Sequence, residues 1–418
     1  MNKNVGIKSM VVFLLLCVLG AAANADAPGE RITLKSEVLQ EERAIQVLLP
    51  EGYWIDKDTS YPVVYLLDGD YNFHGVSGML DLLANKGQMI PEVILVGIAD
   101  KGTLRYRENM TPANGDGKGG NAGQFLNFLE KELKPYIDRH YRSAPNATLV
   151  GQSIGGLFTI NALLQKPDSF DHYVAISPAL WVGDHQLEKT AAELVGKNSY
   201  RGKTLHLSLA DETRMGVYGF LEVLDRKEVQ GIEWQFTRYG DENHNSVGLP
   251  ALRDSLKEIF EGWYLSGSEI SAMEPDGVLA HYRARMDAFG INQPIPTSSV
   301  KSVIRALYNR ERAGEIDALV ARVRRDLPMS ERDFIIMQAA YAGHFDSPKR
   351  ALEILRESES RFSASAKYLQ EIAGVYEQLD NRRKAREYYG RAAALAERQN
   401  AGQWQMNILN AALVRTEA

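Results

Sequence analysis

The sequence contains a single cysteine, Cys17, among its 418 residues. One thiol cannot form a disulfide framework, a thiolate metal site or a redox-active pair. The chemistry of this protein is therefore expected to come from side chains other than cysteine.

Basic residues are not in excess, and long apolar segments are missing. The first 25 residues carry Lys3 and Lys8 and no acid, so the rest of the chain holds 46 basic against 54 acidic residues, a net charge of −8. Because nucleic-acid-binding proteins usually carry a basic excess, no nucleic-acid partner is expected. The apolar run from Met10 to Ala23 has ~14 residues, whereas a membrane-spanning helix needs about 20.

The N-terminus has the layout of a secretory signal peptide. Two lysines precede the apolar run, and Ala23-Asn24-Ala25 stands before the acidic Asp26. We expect residues 1–25 to be removed, leaving a periplasmic or secreted chain with no membrane span. A retained membrane anchor is the alternative interpretation of this segment.

Residues 26–267 alternate apolar runs of strand length with helical patterns, which is typical of a βα-layered sheet. The clearest predicted helices are residues 124–140 and 156–165, where apolar residues recur at three- and four-residue spacing. The predicted strands are residues 32–36, 44–49, 62–67, 93–98, 147–150, 173–176, 204–209 and 233–239.

Residues 274–418 differ in composition and are predicted to form a second, all-helical domain. The last 145 residues hold 18 arginines against 11 in the preceding 273, and strand-like runs disappear. Small and aromatic residues recur with the 34-residue period of tetratricopeptide units. They are Ala373, Tyr376, Ala385, Tyr389 and Ala392, preceded 34 residues earlier by Ala339, Ala342, Ala351 and Leu355.

The alternative interpretation of these helices is a generic helical bundle. Stacked tetratricopeptide-like hairpins form a concave surface that usually binds a peptide or protein. Here such a domain has three candidate roles: binding a protein or peptide partner, capping an active site, or mediating self-association.

The sharpest local motif is Gly151-Gln152-Ser153-Ile154-Gly155-Gly156, which stands between a predicted strand and a predicted helix. A sharp strand-to-helix turn projects a serine hydroxyl above the sheet, and flanking glycines avoid clashes there. The motif predicts Ser153 as a catalytic nucleophile, which needs a neighbouring base to be activated.

His244 is the predicted base. Hydrolases built around such a turn order their triad as serine, acid and histidine, so the base should follow the last strand. His244 lies in a polar loop directly after predicted strand 233–239. Of the other histidines, His206 falls within a predicted strand, His281 and His344 belong to the helical domain, and His74 comes too early in the chain.

The third triad member should follow the penultimate strand and orient the imidazole. Predicted strand 204–209 is followed by Asp211 and Glu212. We favour Glu212 as the acid, and Asp211 is the alternative. Asp241 and Glu242 are interpreted as solvated loop charges.

The oxyanion of the tetrahedral intermediate needs backbone donors. One is predicted to be the N–H of Ile154, and the second an N–H of the loop after the third strand, assigned to Asp70. Metal ligation by Asp68 and Asp70 is the alternative, but no His or Glu stands at ligand spacing nearby. No metal or cofactor is expected.

Four segments together resemble a known family. Residues 65–70, 125–141, 151–157 and 177–181 are similar to the oxyanion loop, the long helix before the nucleophile strand, the nucleophile turn and the pocket-lining segment of esterase D-like α/β-hydrolases. This branch includes enterochelin-type siderophore esterases, feruloyl esterases, S-formylglutathione hydrolases and mycolyl transferases. The resemblance covers residues 30–265 and implies an α/β-hydrolase fold, a three-layer sandwich.

The resemblance also suggests substrate-binding residues. Residues 105–112 are loosely similar to an arginine-containing loop near the active site of siderophore esterases, so Arg107 is a candidate, with an exposed charged loop as the alternative. Trp181 is assigned to the pocket, with a core position as its alternative. Tyr71, in the oxyanion loop, is a further candidate. The glycine-rich stretch 114–123 is interpreted as a flap beside the pocket.

The sequence thus predicts an exported serine hydrolase that cleaves carboxylic esters of small molecules through an acyl-enzyme. The resemblance points to a siderophore-type or acyl-sugar ester. Two alternatives stay open: an acyltransferase that uses the same triad, and a non-catalytic binding scaffold.

Overall fold

A computed structural model describes residues 28–99, 105–113, 120–226 and 231–417. The predicted signal peptide, Cys17 and residues 114–119 of the glycine-rich stretch lie outside the described residues. Within the described ranges, no helix is both long and apolar enough to cross a membrane.

The strands of the described chain form one eight-stranded sheet in the order β1-β2-β4-β3-β5-β6-β7-β8. The strands are β1 (Glu30–Ser36), β2 (Glu41–Leu48), β3 (Tyr61–Leu67), β4 (Ile94–Ile98), β5 (Ser143–Gln152), β6 (His172–Ile176), β7 (Lys203–Leu209) and β8 (Ile232–Arg238). The pairs β1–β2 and β2–β4 are antiparallel, and the remaining pairs are parallel. All eight predicted strands are present.

Helices cover both faces of this sheet. They are α1 (Gly69–Leu80), α2 (Tyr106–Met110), α3 (Ala122–Phe128), α4 (Lys134–His140), α5 (Ile154–Gln165), α6 (Val182–Leu194), α7 (Val217–Arg226) and α8 (Gly248–Ile259). A π-helical segment, Leu129–Leu133, joins α3 to α4, so the predicted helix 124–140 is continuous. A second π-helical segment, Asp81–Lys86, extends α1.

Strand β3 shows how the sheet separates two cores. Successive side chains of a strand point to opposite faces, and strands buried on both faces are apolar throughout. Val64 and Leu66 pack in the core that contains α1 and α8, whereas Val63 and Tyr65 pack in the core that contains α3 and α5. The predicted three-layer α/β-hydrolase sandwich is therefore confirmed.

The C-terminal region is all-helical, as predicted. Its helices are α9 (Gly267–Ala272), α10 (Pro275–Phe289), α11 (Thr297–Asn309), α12 (Ile316–Asp326), α13 (Glu331–Phe345), α14 (Pro348–Phe362), α15 (Ala366–Gln378), α16 (Arg382–Arg398) and α17 (Gln403–Arg415). Neighbouring helices pack as pairs, with α13 against α14 and α15 against α16. Of the predicted repeat positions, all are buried except Tyr376, which is partly buried.

The helical region contacts the sheet at the edge opposite the nucleophile turn. Arg332 Nη1 donates to Asp56 Oδ2 at 2.9 Å, and Gln293 Nε2 donates to the carbonyl of Glu92 at 2.7 Å. Asp56 and Glu92 precede β3 and β4, whereas Ser153 follows the carboxyl end of β5. Seven-residue β3 separates these edges by about 20 Å. In the described part of the chain, the interpretation of these helices as a cap over the active site is therefore wrong.

Ionisable side chains meet at this seam between sheet and helices. Buried Arg332 pairs with Asp56 and also with Asp333 at 3.1 Å, and Lys367 pairs with Asp333 at 2.8 Å. Glu92 lies beside this cluster and accepts a hydrogen bond from the backbone N–H of Gly52 at 3.0 Å. Burial nevertheless raises the pKa of Glu92 from 4.5 to about 7.

Glu92→Gln is expected to stabilise the protein at alkaline pH. Because the pKa of Glu92 is higher in the folded chain than in the unfolded chain, ionising Glu92 lowers the free energy of unfolding. This loss of stability is absent below about pH 4.5, where the side chain is protonated in both states, and reaches its full size above about pH 7. The amide needs no ionisation and retains an acceptor for Gly52. We expect the free energy of unfolding at pH 8 to rise by about 2–3 kcal/mol relative to wild type, with no gain at pH 4.5.

Denaturant unfolding of the full chain at the two pH values measures this difference. Glu51→Gln is the matched control, because Glu51 lines the same seam but is half exposed. An equal gain in both variants, or a loss at pH 8 for Glu92→Gln, contradicts the prediction.

Candidate active site

The turn between β5 and α5 holds Ser153 in an unusual backbone conformation. Its φ is 57° and its ψ is −117°, a region that non-glycine residues rarely adopt. The N–H of Ser153 donates to the carbonyl of Ile176 at 2.9 Å, and its carbonyl accepts from the N–H of Leu157 at 3.0 Å. Strained serines of this kind are typical of nucleophile turns.

Close backbone packing explains the glycine at the start of the turn. A Cβ atom at Gly151 would lie 2.2 Å from the carbonyl oxygen of Gly155. Any side chain at this position would therefore push β5 and α5 apart. The glycine is needed for the sharp reversal that presents Ser153.

His244 and Glu212 are in direct contact. His244 Nδ1 is hydrogen-bonded to Glu212 Oε1. The other carboxylate oxygen accepts a hydrogen bond from Ser177 Oγ at 3.3 Å, and Ser177 Oγ accepts one from the N–H of Ala210 at 3.0 Å. The carboxylate is thus held at both oxygens, and it can fix the orientation of the imidazole.

The alternative acid, Asp211, does not contact the imidazole. Its side chain is exposed, its N–H donates to the carbonyl of Glu242 at 3.0 Å, and its carbonyl accepts from Arg238 at 3.3 Å. These backbone contacts direct the loop so that the following residue, Glu212, turns towards His244. The preference for Glu212 over Asp211 now has a geometric reason.

Gln152 connects the nucleophile turn to the histidine loop. Its side-chain amide donates to the carbonyl of His244. In the same loop, Asn243 Oδ1 accepts from the N–H groups of Asn245 at 2.9 Å and Ser246 at 3.2 Å. These bonds bring the base loop to the edge of the sheet where Ser153 lies.

A hydrogen bond between Ser153 Oγ and His244 is not among the contacts of the described residues. Catalytic hydrogen bonds are often long without substrate and tighten in the complex. The arrangement therefore consists of a paired histidine and acid near a turn in which Ser153 is half-buried.

Two helix N-termini point to this edge. Helix α1 follows β3 directly, α5 follows β5, and β3 and β5 are neighbouring strands. The first N–H groups of a helix have no intrahelical acceptor. Ile154 opens α5 and Asp70 is the second residue of α1, so their N–H groups are available to an oxyanion.

The loop before α1 does not arrange its two aspartates as paired ligands. Asp68 is buried and accepts a hydrogen bond from the hydroxyl of Tyr106 at 3.1 Å, whereas Asp70 is exposed. In the described ranges, no group of three or more His, Cys, Asp or Glu side chains is arranged to hold a metal ion.

The three predicted substrate-binding residues are all accessible. Tyr71, in the first turn of α1, is 61% exposed, and Trp181, immediately before α6, is 45% exposed. Arg107 is exposed on the short helix α2. The alternative core position for Trp181 is therefore wrong.

Gln152 and Ser177 lie in segments that carry the family resemblance, but the sequence did not predict their contacts with His244 and Glu212. Gln152 is the second residue of the nucleophile motif, and a polar side chain at the end of a buried strand was the available signal. Ser177 is fully buried with φ 38°. Its contact with Glu212 depends on the relative positions of two loops, which spacing does not reveal.

Comparisons with known proteins identify a matching family and similar proteins. The sequence model of the Esterase family, described as "Putative esterase", matches residues 36–214. The ferri-bacillibactin esterase BesA of Bacillus subtilis is 30% identical over 266 residues, which cover 56% of this chain and 90% of that protein.

Two solved structures are similar in fold. An IroE-like serine hydrolase from Shewanella oneidensis has a TM-score of 0.58 and 27% identity, covering 69% of this chain and 97% of its own. An uncharacterised protein from Capnocytophaga ochracea has the same TM-score at 16% identity and covers 93% of this chain and 99% of its own. The second likeness concerns the fold alone, but it extends into the helical region.

Proposed function

Because this chain belongs to the Esterase family of α/β-hydrolases and is therefore a carboxylic ester hydrolase, we propose that it cleaves esters through Ser153, His244 and Glu212. One observation carries the proposal: His244 is hydrogen-bonded to Glu212 while its loop is tied by Gln152 to the turn that carries Ser153. This combination supplies a nucleophile, a base and a group that orients the base.

The proposed reaction has two halves. His244 Nε2 removes the proton of Ser153 as Oγ attacks the ester carbonyl, while Glu212 stabilises the imidazolium. The N–H groups of Ile154 and Asp70 stabilise the oxyanion. The alcohol departs with the proton held by His244. Water, deprotonated by His244, then cleaves the acyl-enzyme, so that the acid is released and Ser153 regains its proton.

We propose a siderophore-type ester as the natural substrate. The name of the Bacillus subtilis relative, which aligns over 90% of its length, supports this class. Exposed Tyr71 and Trp181 offer aromatic surfaces for the substrate. Arg107 is suited to bind a catecholate or carboxylate through paired hydrogen bonds.

An ester panel tests both the chemistry and the substrate. Aryl acetates, feruloyl sugars and a trilactone siderophore are assayed alongside fluorophosphonate labelling of the full chain. We expect the label on Ser153 and kcat/KM for the trilactone at least about tenfold above that for the aryl acetates. A preference for feruloyl sugars would overturn the substrate class but not the nucleophile. A new ester formed with an added alcohol, without free acid, would indicate an acyltransferase.

We propose that residues 1–25 direct export, so that the mature protein is periplasmic or secreted. The charge and apolar pattern of this segment supports the assignment. Mass spectrometry of the mature chain is expected to find Asp26 at its N-terminus. A mature chain that retains residues 1–25 would contradict cleavage.

We propose that residues 26–267 form the esterase domain and residues 274–418 a tetratricopeptide-like domain. Since the helical contacts lie at the edge opposite Ser153, the helices are available to a protein or peptide partner, or to a second copy. Light scattering of the full chain distinguishes the two. A dimer supports self-association, and a monomer rules it out under the conditions of the measurement.

A further inference from the structure

A cavity of about 230 Å³ opens between helices α1 and α8, and its lining includes Gln152, which immediately precedes the proposed nucleophile. Leu66, Val150 and Ile176 form its base, and Gly75 and Leu249 stand at its mouth. None of its lining residues, all of which lie in the described ranges, carries a formal charge, and its polar side chains are Asn72, Gln152, Asn245 and Ser246 besides the hydroxyl of Tyr71. We call it the α1–α8 pocket.

The walls of the α1–α8 pocket belong to the elements that carry the proposed chemistry. Gln152, a lining residue, immediately precedes Ser153 and binds the carbonyl of His244. Asn245, also in the lining, immediately follows His244, and Tyr71 follows the proposed oxyanion donor Asp70. A substituent on either side of the ester bond can therefore enter this pocket while the carbonyl lies at Ser153.

The lining favours one class of substituent. An apolar group gains about 25 cal/mol for each Å² removed from water, whereas a charged group would lose its hydration without finding an ionic partner. A cavity of about 150 Å³ lined by aliphatic and aromatic residues holds benzene in a well-studied lysozyme variant. The larger α1–α8 pocket has room for a substituted ring or a short branched chain.

We propose that the α1–α8 pocket is a substrate subsite for an uncharged apolar group of the ester, and that Gly75 and Leu249 set its size. The proposal rests on the proposed function, because it assigns the pocket to the ester cleaved at Ser153. It adds a selectivity for compact apolar substituents that is separate from any recognition by Arg107.

Helix α1 offers a matched pair of positions for the test. A Cβ atom at Gly75 would meet Leu249 Cδ1 at 3.4 Å, an ordinary contact, so a larger side chain would fill the mouth without a backbone clash. Gly78, on the same helix, has nothing within 4 Å of a Cβ atom. Both glycines have room for leucine, and replacing a helical glycine generally favours the helix.

The experiment compares Gly75→Leu, Leu249→Ala and Gly78→Leu with wild type on two ester series. The first varies the acyl group of 4-nitrophenyl esters from acetate to hexanoate and benzoate. The second varies the alcohol of acetyl esters from ethyl to butyl and benzyl. The measured quantity is kcat/KM for the esters with large substituents divided by kcat/KM for the ester with the smallest one. In one of the two series, Gly75→Leu is expected to reduce this ratio by about tenfold or more.

Leu249→Ala should raise that ratio about threefold, since it widens the mouth, and Gly78→Leu should leave it unchanged. The series that responds identifies the acyl or the alcohol side of the substrate. If neither series responds while Ser153 is labelled and the acetates are hydrolysed, the subsite is wrong and the esterase mechanism stands. If wild type neither hydrolyses acetates nor labels at Ser153, the mechanism and the subsite fail together.

Discussion

Ser153→Ala is expected to lower kcat/KM for a short aryl ester by at least about a thousandfold, because no other group supplies the attacking oxygen. Removing the oxygen alters neither core packing nor the turn glycines, and alanine bears a Cβ atom as serine does. The melting temperature should stay within a few degrees of wild type. Initial rates and thermal unfolding of the full chain measure the two quantities.

Ser143→Ala is the matched control for this variant. Ser143 begins the same strand, β5, at the opposite edge of the sheet, where its hydroxyl contacts Asp138 at 2.6 Å. We expect it to retain wild-type kcat/KM. Activity retained in Ser153→Ala would remove the proposed mechanism, and an equal loss in both variants would show that the effect is structural.

The fold was predictable because its signals are local. Buried parallel strands appear in a sequence as continuous runs of apolar residues. Strand β3, which is buried along its whole length, is such a strand. The nucleophile turn was equally local, since Gly151 through Gly156 contain both the strained residue and the glycines that accommodate it. The structure of such segments depends on residues that are close together in the chain, so one sequence suffices to recognise them.

The acid could only be narrowed to two candidates. Asp211 and Glu212 are adjacent, and spacing places both after β7. What separates them is the direction of their loop, which depends on contacts of Asp211 with Glu242 and Arg238 and of Glu212 with Ser177. These partners lie on three other segments, so the choice is a tertiary one.

The position of the helical region relative to the sheet could not be predicted from the sequence either. Its contacts with the sheet join residues far apart in the chain, such as Arg332 and Asp56. An arginine between Glu331 and Asp333 in the first turn of a helix predicts exposed charge, and nothing in the periodicity of α13 indicates that Arg332 is buried against a loop. In the described chain, these contacts of the C-terminal helices lie at the edge of the sheet opposite Ser153. Access of the substrate to Ser153 therefore depends on the loops around it.

Comparing Glu212→Gln with Asp211→Asn is expected to give the second large effect. Glutamine keeps the size of the side chain but cannot stabilise the imidazolium, and its amide can hold His244 in the wrong tautomer. We expect kcat/KM to fall by about a thousandfold to ten-thousandfold in Glu212→Gln. Asp211→Asn should stay within about threefold of wild type, because this exposed side chain touches neither the base nor the proposed substrate pocket.

The comparison is informative because the two variants change the same charge at adjacent positions. Any long-range effect of removing one negative charge is shared, so the difference between them reports the contact with His244. Glu212 is 18% exposed and hydrogen-bonded at both oxygens, so water cannot readily replace its carboxylate. Initial rates from pH 6 to 9 give the measurement, and a larger loss in Asp211→Asn would transfer the acid role to Asp211.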